Sequence, residues 1–296
     1  MILITGGSGQ VGRSLLSQQA VLPLPCVAPS SRDFDLADRQ SITHYLQSNT
    51  LSAIINAGAY TAVDQAESNP DRAKAINADA PEMLADYCKV HDIPLIHIST
   101  DYVFAGDKKT PYNEQDETDP LGVYGQTKLA GEQAILSSGC RAVILRTAWV
   151  VSPFGKNFIK TMLRLADMRE EISVVADQKG CPTGAQDLAG AVLGIASRLI
   201  RNKDCSIGLY HCTNQGETTW ADLARFVMAE SAQLNGPSAI IKSITTAEYP
   251  TPANRPLNSL LSCRKLKQDF GLEMRTWQDM VKEVVAAILN NERQAV

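Results

Sequence analysis

Residues 1–12, MILITGGSGQVG, restrict the fold more than any other part of the chain. A short apolar run ends in Gly6, Gly9 and Gly12, a G-x-x-G-x-x-G spacing, and a helix is expected to begin inside the motif. Glycines let a backbone turn tightly and approach a pyrophosphate without Cβ clashes. The helix N-terminus then offers free N–H groups and the positive end of its dipole to phosphates. A glycine-rich turn alone would carry little meaning. Placed after a first strand and opening a helix, it reads as a dinucleotide site.

The rest of the first half repeats that rhythm. LPCVAP, AIINAGA, IPLIHIS and RAVILRT are further strand-like runs. Helical patterns lie between them near 39 to 48, 70 to 91 and 123 to 137. Short continuous apolar strands separated by helices indicate a parallel sheet covered on both faces. The expected fold class is therefore α/β, a Rossmann-type doubly wound parallel sheet. After Trp149 the rhythm loosens into helical patterns near 156–169, 185–200, 219–234 and 276–291. YPTPANRPLN, residues 249–258, has three prolines and reads as an extended loop. This divides the chain into a dinucleotide-binding domain, 1–148, and a smaller, mainly helical substrate domain, 149–296. Some later segments are expected to pack back on the sheet.

Composition removes several function classes. The net charge of −4 comes from interspersed acids and bases, so no basic surface for nucleic acid is expected. The seven cysteines are scattered without a C-x-x-C pair and the four histidines are isolated, which points to free thiols in a reducing compartment and to no metal site. No apolar run approaches the roughly 20 residues that span a bilayer. A strand pattern starts at Met1, so no signal peptide and a cytoplasmic location are expected.

The end of the second strand should choose the coenzyme. An acid there binds the ribose 2′-OH of NAD, whereas an Arg accommodates the 2′-phosphate of NADP. PSSRDFDL offers Ser30, Ser31 and Arg32, which favour NADPH. Asp33 could neutralise Arg32, which keeps NADH possible. Asp35 and Leu36 could flank the adenine. Further along, Thr100 leaves the carboxyl end of the fourth strand, where ligands of open α/β sheets bind. Tyr124 and Lys128 stand at i and i+4 on an expected helix and share a face. Reducing a carbonyl requires a proton for the developing alkoxide. Tyr124 could supply it, with the Lys128 cation lowering its pKa from near 10.

GGSGQVG, NAGAYTAVDQAE, STDYVF, VYGQTKLAGE, RTAWV and NFIKTMLRLA together resemble the extended short-chain dehydrogenase/reductase superfamily. Within it, the chain resembles the dTDP-4-dehydrorhamnose reductase family, and DQKGCPTGA and YPTPANRPLNSLL extend the likeness into the second half. The resemblance implies NAD(P)H-dependent reduction of the C4 keto group of dTDP-4-dehydro-L-rhamnose to dTDP-L-rhamnose, for cell-surface polysaccharides. It makes Tyr124 the proton donor, Lys128 its modulator and ribose ligand, and Thr100 the residue that tunes the carbonyl site. Gly9, Gln10 and Val11 would hold the pyrophosphate, and Ala57, Ala59, Tyr60 and Thr61 would line the nicotinamide side. Thr100, Asp101, Trp149 and Val63 would meet the sugar, with Asn157 and Arg255 as candidate phosphate ligands.

Some family members dimerise through magnesium held by acids. Here Arg13-Ser14 follows the glycine loop, and Gln186 and Gly190 fall where later acids would align. Magnesium is therefore not expected, and a monomer or metal-free homodimer is. Other functions stay open. A sugar-nucleotide dehydratase of the same superfamily would need a second acid after Thr100, where Asp101-Tyr102 stands, which argues less against an epimerase and leaves another sugar-nucleotide reductase open. A non-catalytic NADP-binding regulatory subunit would not need an intact Thr100, Tyr124 and Lys128.

Overall fold

The computed structural model describes residues 1–294. Five strands of the first half, β1 (Ile2–Thr5), β2 (Cys26–Val27), β3 (Ala53–Asn56), β4 (Leu95–Thr100) and β5 (Ala142–Thr147), lie parallel in one sheet. A sixth parallel strand, Gly208–His211, comes from the second half and pairs with β5. The spatial order is Gly208–His211, β5, β4, β3, β1, β2. The order reverses beside β1, so the β1–β3 crevice is the topological switch point where ligands of such sheets bind. The glycine loop opens onto it.

Each strand is apolar because both of its faces are covered. Ile2, Ile4, Ile55, Ile96, Val143 and Leu145 pack against the helix Ala185–Arg201 through Leu188, Val192, Ile195 and Leu199. Leu3, Ile54, Leu95 and Ile144 face Leu84 and Cys88 of the helix Ala80–His91. β2 is shorter than LPCVAP suggests. Pro25 and Pro29 bracket it, and a proline cannot donate to a ladder.

The helical stretch from 70 to 91 is three pieces: Pro70–Lys74, a π turn Ala75–Asp79, and Ala80–His91. The π turn swings Asn77 inward. Its Oδ1 accepts the Tyr60 N–H at 2.8 Å, and its Nδ2 donates to the Tyr60 carbonyl and the Thr127 hydroxyl, each at 3.2 Å. One buried amide thereby ties the loop after β3 to the helix Val123–Ser138. Such π bulges recur at functional sites.

A second apolar cluster gathers Ile159, Leu163, Ile172, Val227, Val281 and Val285. It contains a parallel strand pair, Glu171–Val175 with Ile240–Ile244. The helical patterns gave no hint of this pair, because its partners lie far apart in sequence. No helix among the described residues is long and apolar enough to cross a membrane.

Candidate active site

A cleft of about 740 Å³ runs over the carboxyl ends of β1, β3, β4 and β5, and is closed on its far side by Trp149, Gly155, Lys156 and Trp220. The glycine loop forms its floor. Gly6 has φ +67°, and a Cβ on Gly12 would stand 2.1 Å from the Gly6 carbonyl oxygen. The loop therefore folds back on itself only with hydrogen at these positions. Gly9 caps the helix Gln10–Gln18 with no side chain over its N–H groups, so those donors face the cleft. The chain's own donor set thus suits a pyrophosphate.

Gln10 does something that the glycine spacing did not show. Its amide donates to the Val150 carbonyl at 3.2 Å and accepts from Ser152 Oγ at 2.8 Å and Asn157 Nδ2 at 2.9 Å. Asn157 also caps the helix Phe158–Ala166 by accepting from the Lys160 N–H. Here Asn157 stands off the cleft wall as a tie between the glycine loop and the second half. Asp35, Leu36 and Ser31 line one end of the cleft beside Phe34. Ser30 and Arg32 are exposed at its rim, and Ser30 donates to Asp33 Oδ2 at 2.6 Å. Val11, Ala57, Ala59, Thr61 and Val63 line the walls between the two ends.

Thr100, Tyr124 and Lys128 meet at the centre of the cleft. Gly125 makes this possible. A Cβ there would stand 2.2 Å from the Tyr102 carbonyl oxygen, so the helix Val123–Ser138 presses directly on the turn after β4. The Tyr124 ring sits edge-on to Tyr102, with centroids 5.5 Å apart. Burial, opposed by hydrogen bonding with Thr100, pushes the Tyr124 phenol up to about 12. This reverses the expected lowering by Lys128. The Lys128 Nζ instead donates to the Ile98 carbonyl at 2.7 Å and lies 3.2 Å from His97 Nε2. Burial brings Lys128 down to about 8. The Tyr124 phenol is therefore held protonated. Asp101 accepts from the Thr100 hydroxyl at 2.9 Å, its Oδ2 has no protein partner, and burial raises it to about 6.

The helix that carries Tyr124 and Lys128 starts at Gly122, which has no capping side chain of its own. Glu67 serves instead, accepting the Val123 N–H at 2.9 Å. Replacing Glu67 with Ala should cost about 0.5–2 kcal/mol, the usual worth of a cap, read as a lower unfolding midpoint in urea. Trp149 holds φ +49°, a left-handed conformation that strains a tryptophan. Its indole stacks on Trp220 with centroids 3.5 Å apart, and Gly180 leaves room for the ring. Arg255 lies off the cleft wall. It pairs with Asp64 at 2.8 Å and with the Thr251 hydroxyl, clamping the proline loop to the segment after β3.

The sequence matches the RmlD substrate binding domain family over residues 1–290. This chain belongs to that family. A curated relative from Sinorhizobium fredii, named dTDP-4-dehydrorhamnose reductase, is 41% identical over 295 residues, covering 99% of both chains. The crystal structure of a dTDP-4-dehydrorhamnose reductase from Clostridium acetobutylicum superposes with a TM-score of 0.90 at 35% identity, covering 97% of this chain and 99% of that one. The Bacillus anthracis dTDP-4-dehydrorhamnose reductase, solved in complex with NADP, gives 0.86 at 32% identity, covering 96% and 98%.

Gln186 and Gly190 lie on the helix Ala185–Arg201. The Gln186 carbonyl accepts from the Gln18 amide at 2.9 Å. Asp187 accepts from Asn214 at 2.8 Å and Arg275 at 2.9 Å. Among the described residues no three His, Cys, Asp or Glu side chains gather as metal ligands. Trp220, Glu67, Asn77 and the side chain of Gln10 were not legible as site residues. Glu67 lay inside NAGAYTAVDQAE, but nothing local marks an acid as the cap of a helix 56 residues away.

Proposed function

We propose that this chain is an NADPH-dependent reductase of the C4 ketone of dTDP-4-dehydro-β-L-rhamnose, yielding dTDP-L-rhamnose. The observation that carries the reading is the meeting of Thr100, Tyr124 and Lys128 in one cleft with the uncapped glycine-loop helix. The reduced nicotinamide coenzyme, when bound, supplies the hydride for C4. Tyr124 donates its phenolic proton to the oxygen at C4 as negative charge develops there. Thr100 orients that oxygen, and Asp101 and Trp149 hold the sugar. Lys128 serves the ribose. Glu67 and Gly125 keep Tyr124 and Lys128 aimed into the cleft.

Tyr102 stands where a dehydratase would carry its second acid, and burial pushes its phenol well above the ordinary range. Held protonated, it offers no base at neutral pH, and dehydration needs a base as well as an acid, which supports reduction over dehydration. The seven free thiols support a cytoplasmic setting. We read the assembly as a monomer or metal-free homodimer, which chelator treatment should leave unchanged in size-exclusion chromatography.

The direct test is NADPH oxidation by the purified protein with dTDP-4-dehydro-L-rhamnose, beside other keto sugar nucleotides. Absence of turnover with the rhamnose precursor, with turnover on another, would replace the substrate assignment. Coenzyme choice has its own test. Arg32→Ala should raise KM for NADPH by more than that for NADH, because Arg32 is the cation at the adenine-side rim. Equal changes in the two would remove Arg32 from recognition of the 2′-phosphate.

A further inference from the structure

Thr147 is the last residue of β5 and lines the cleft. It stands in register beside Thr100 of β4, and each is 5% exposed. The Thr147 hydroxyl oxygen is buried and has no hydrogen-bond partner in the protein. The two other buried threonines of the cleft differ. Thr5 donates to Asn56 Oδ1 at 2.6 Å and accepts the Gly58 N–H at 2.9 Å, and Thr100 donates to Asp101 Oδ1 at 2.9 Å. A buried hydroxyl left unpaired costs stability. Valine has nearly the same shape, is equally at home in a strand, and would fill the position without that cost. What the Thr147 hydroxyl can serve is a group that enters the cleft.

The strand order says which group. A dinucleotide's pyrophosphate belongs at the glycine loop after β1, where the uncapped helix Gln10–Gln18 begins. Its adenosine half runs outward over β2, toward Ser30 and Arg32. The nicotinamide half then runs the other way, across β3 to β4 and β5. β5 lies three strands from β1, roughly 14 Å at the usual strand spacing. Tyr124 and Lys128, on the helix that joins β4 to β5, mark the same end for hydride delivery. Depth separates coenzyme from sugar. Thr147 sits on a strand end at the bottom of the cleft, whereas Trp149 and Trp220 close its far side. A coenzyme laid along the strand ends covers Thr147, and the sugar is held between it and the indoles. The nicotinamide ring has one polar substituent, a carboxamide, with a carbonyl acceptor and an N–H donor. A hydroxyl can pair with either.

We infer that the Thr147 hydroxyl is a coenzyme ligand that hydrogen-bonds the carboxamide of the nicotinamide. This rests on the coenzyme occupying the cleft as proposed above. It gives the second half of β5 a use in binding that the Tyr124–Lys128 helix does not supply.

Calorimetric titration of the free protein tests this without a keto sugar. Thr147→Val should weaken NADPH binding by about 5- to 100-fold, the range for leaving one buried partner unpaired. Binding of 2′-phospho-ADP-ribose, the same ligand without its nicotinamide, should be unchanged. Thr147→Ser keeps the hydroxyl and should retain most of the affinity for NADPH. Equal weakening of both ligands would show a general distortion of the cleft and overturn the inference. So would unchanged NADPH binding, and a raised KM for the keto sugar nucleotide beside it would assign the hydroxyl to the sugar. The unmodified protein gives a measure that does not depend on any variant folding. It should bind NADPH at least about 5-fold more tightly than 2′-phospho-ADP-ribose. Equal affinities would mean that nothing holds the nicotinamide half, and would overturn the inference too. NADH and ADP-ribose, the same pair without the 2′-phosphate, read the same contact. A protein that shows this nicotinamide-specific loss and reduces no keto sugar would refute the proposed reaction and leave the inference standing.

Discussion

Tyr124→Phe should lower kcat for the keto sugar nucleotide by about 10²–10⁴-fold, the range for loss of a general acid. The fold should survive, because the ring keeps its edge contact with Tyr102 and the helix keeps its cap from Glu67. Coenzyme affinity, measured by fluorescence titration, should change little. The wild-type phenol sits at about 12, so its proton is retained through neutral and mildly alkaline pH. Any fall in rate near pH 8 should therefore persist in the Phe variant's residual activity, since it comes from Lys128 rather than from the donor. A Phe variant as fast as wild type would sink the assignment of Tyr124.

The largest stability change is expected at Glu132. Its carboxylate grips Arg146 through Nε at 2.9 Å and Nη2 at 2.6 Å, and both side chains are almost wholly buried. The guanidinium also lies 4.9 Å above the Phe104 ring, and its Nη1 has no partner. Glu132→Ala leaves that cation buried and uncompensated. Breaking such a pair from one side costs about 3–5 kcal/mol. Urea unfolding followed by circular dichroism should show it. Replacing both partners with apolar residues of similar volume should recover most of the loss, because the pair itself contributes little net stability once its desolvation is counted. A loss below about 1 kcal/mol, the level of an exposed pair, would show that water reaches the site.

What was legible in the sequence was local. The glycine loop, the apolar strands and the Tyr124–Lys128 spacing each lie within one element or one turn, so periodicity and backbone sterics declare them. The five parallel strands of the first half followed from that alternation, whereas the sixth, Gly208–His211, did not. The contacts that complete the site are of another kind. Gln10 meets Asn157 across 147 residues, and Asp64 meets Arg255 across 191. Asn157 and Arg255 read as phosphate ligands because an amide or guanidinium among prolines and glycines presents the same letters whether it binds a ligand or its own chain. The Tyr124 pKa could not be read either. A lysine at i+4 shares a face with the tyrosine, yet the Lys128 ammonium is drawn to Ile98 and His97, groups on a strand that helical spacing does not describe.

The strand Gly208–His211 has a consequence for how the protein is made. During synthesis the chain emerges with β5 complete but its outer edge unpaired, and the helix Ala185–Arg201 that covers one sheet face comes later still. A fragment ending near residue 148 would expose both an apolar sheet face and a row of free backbone donors and acceptors, a template for aggregation. The first half therefore holds the coenzyme loop but cannot finish its own sheet. Only when residue 211 has cleared the ribosome can the edge close, so the half that carries Trp220 is also a folding requirement for the half that carries the glycines.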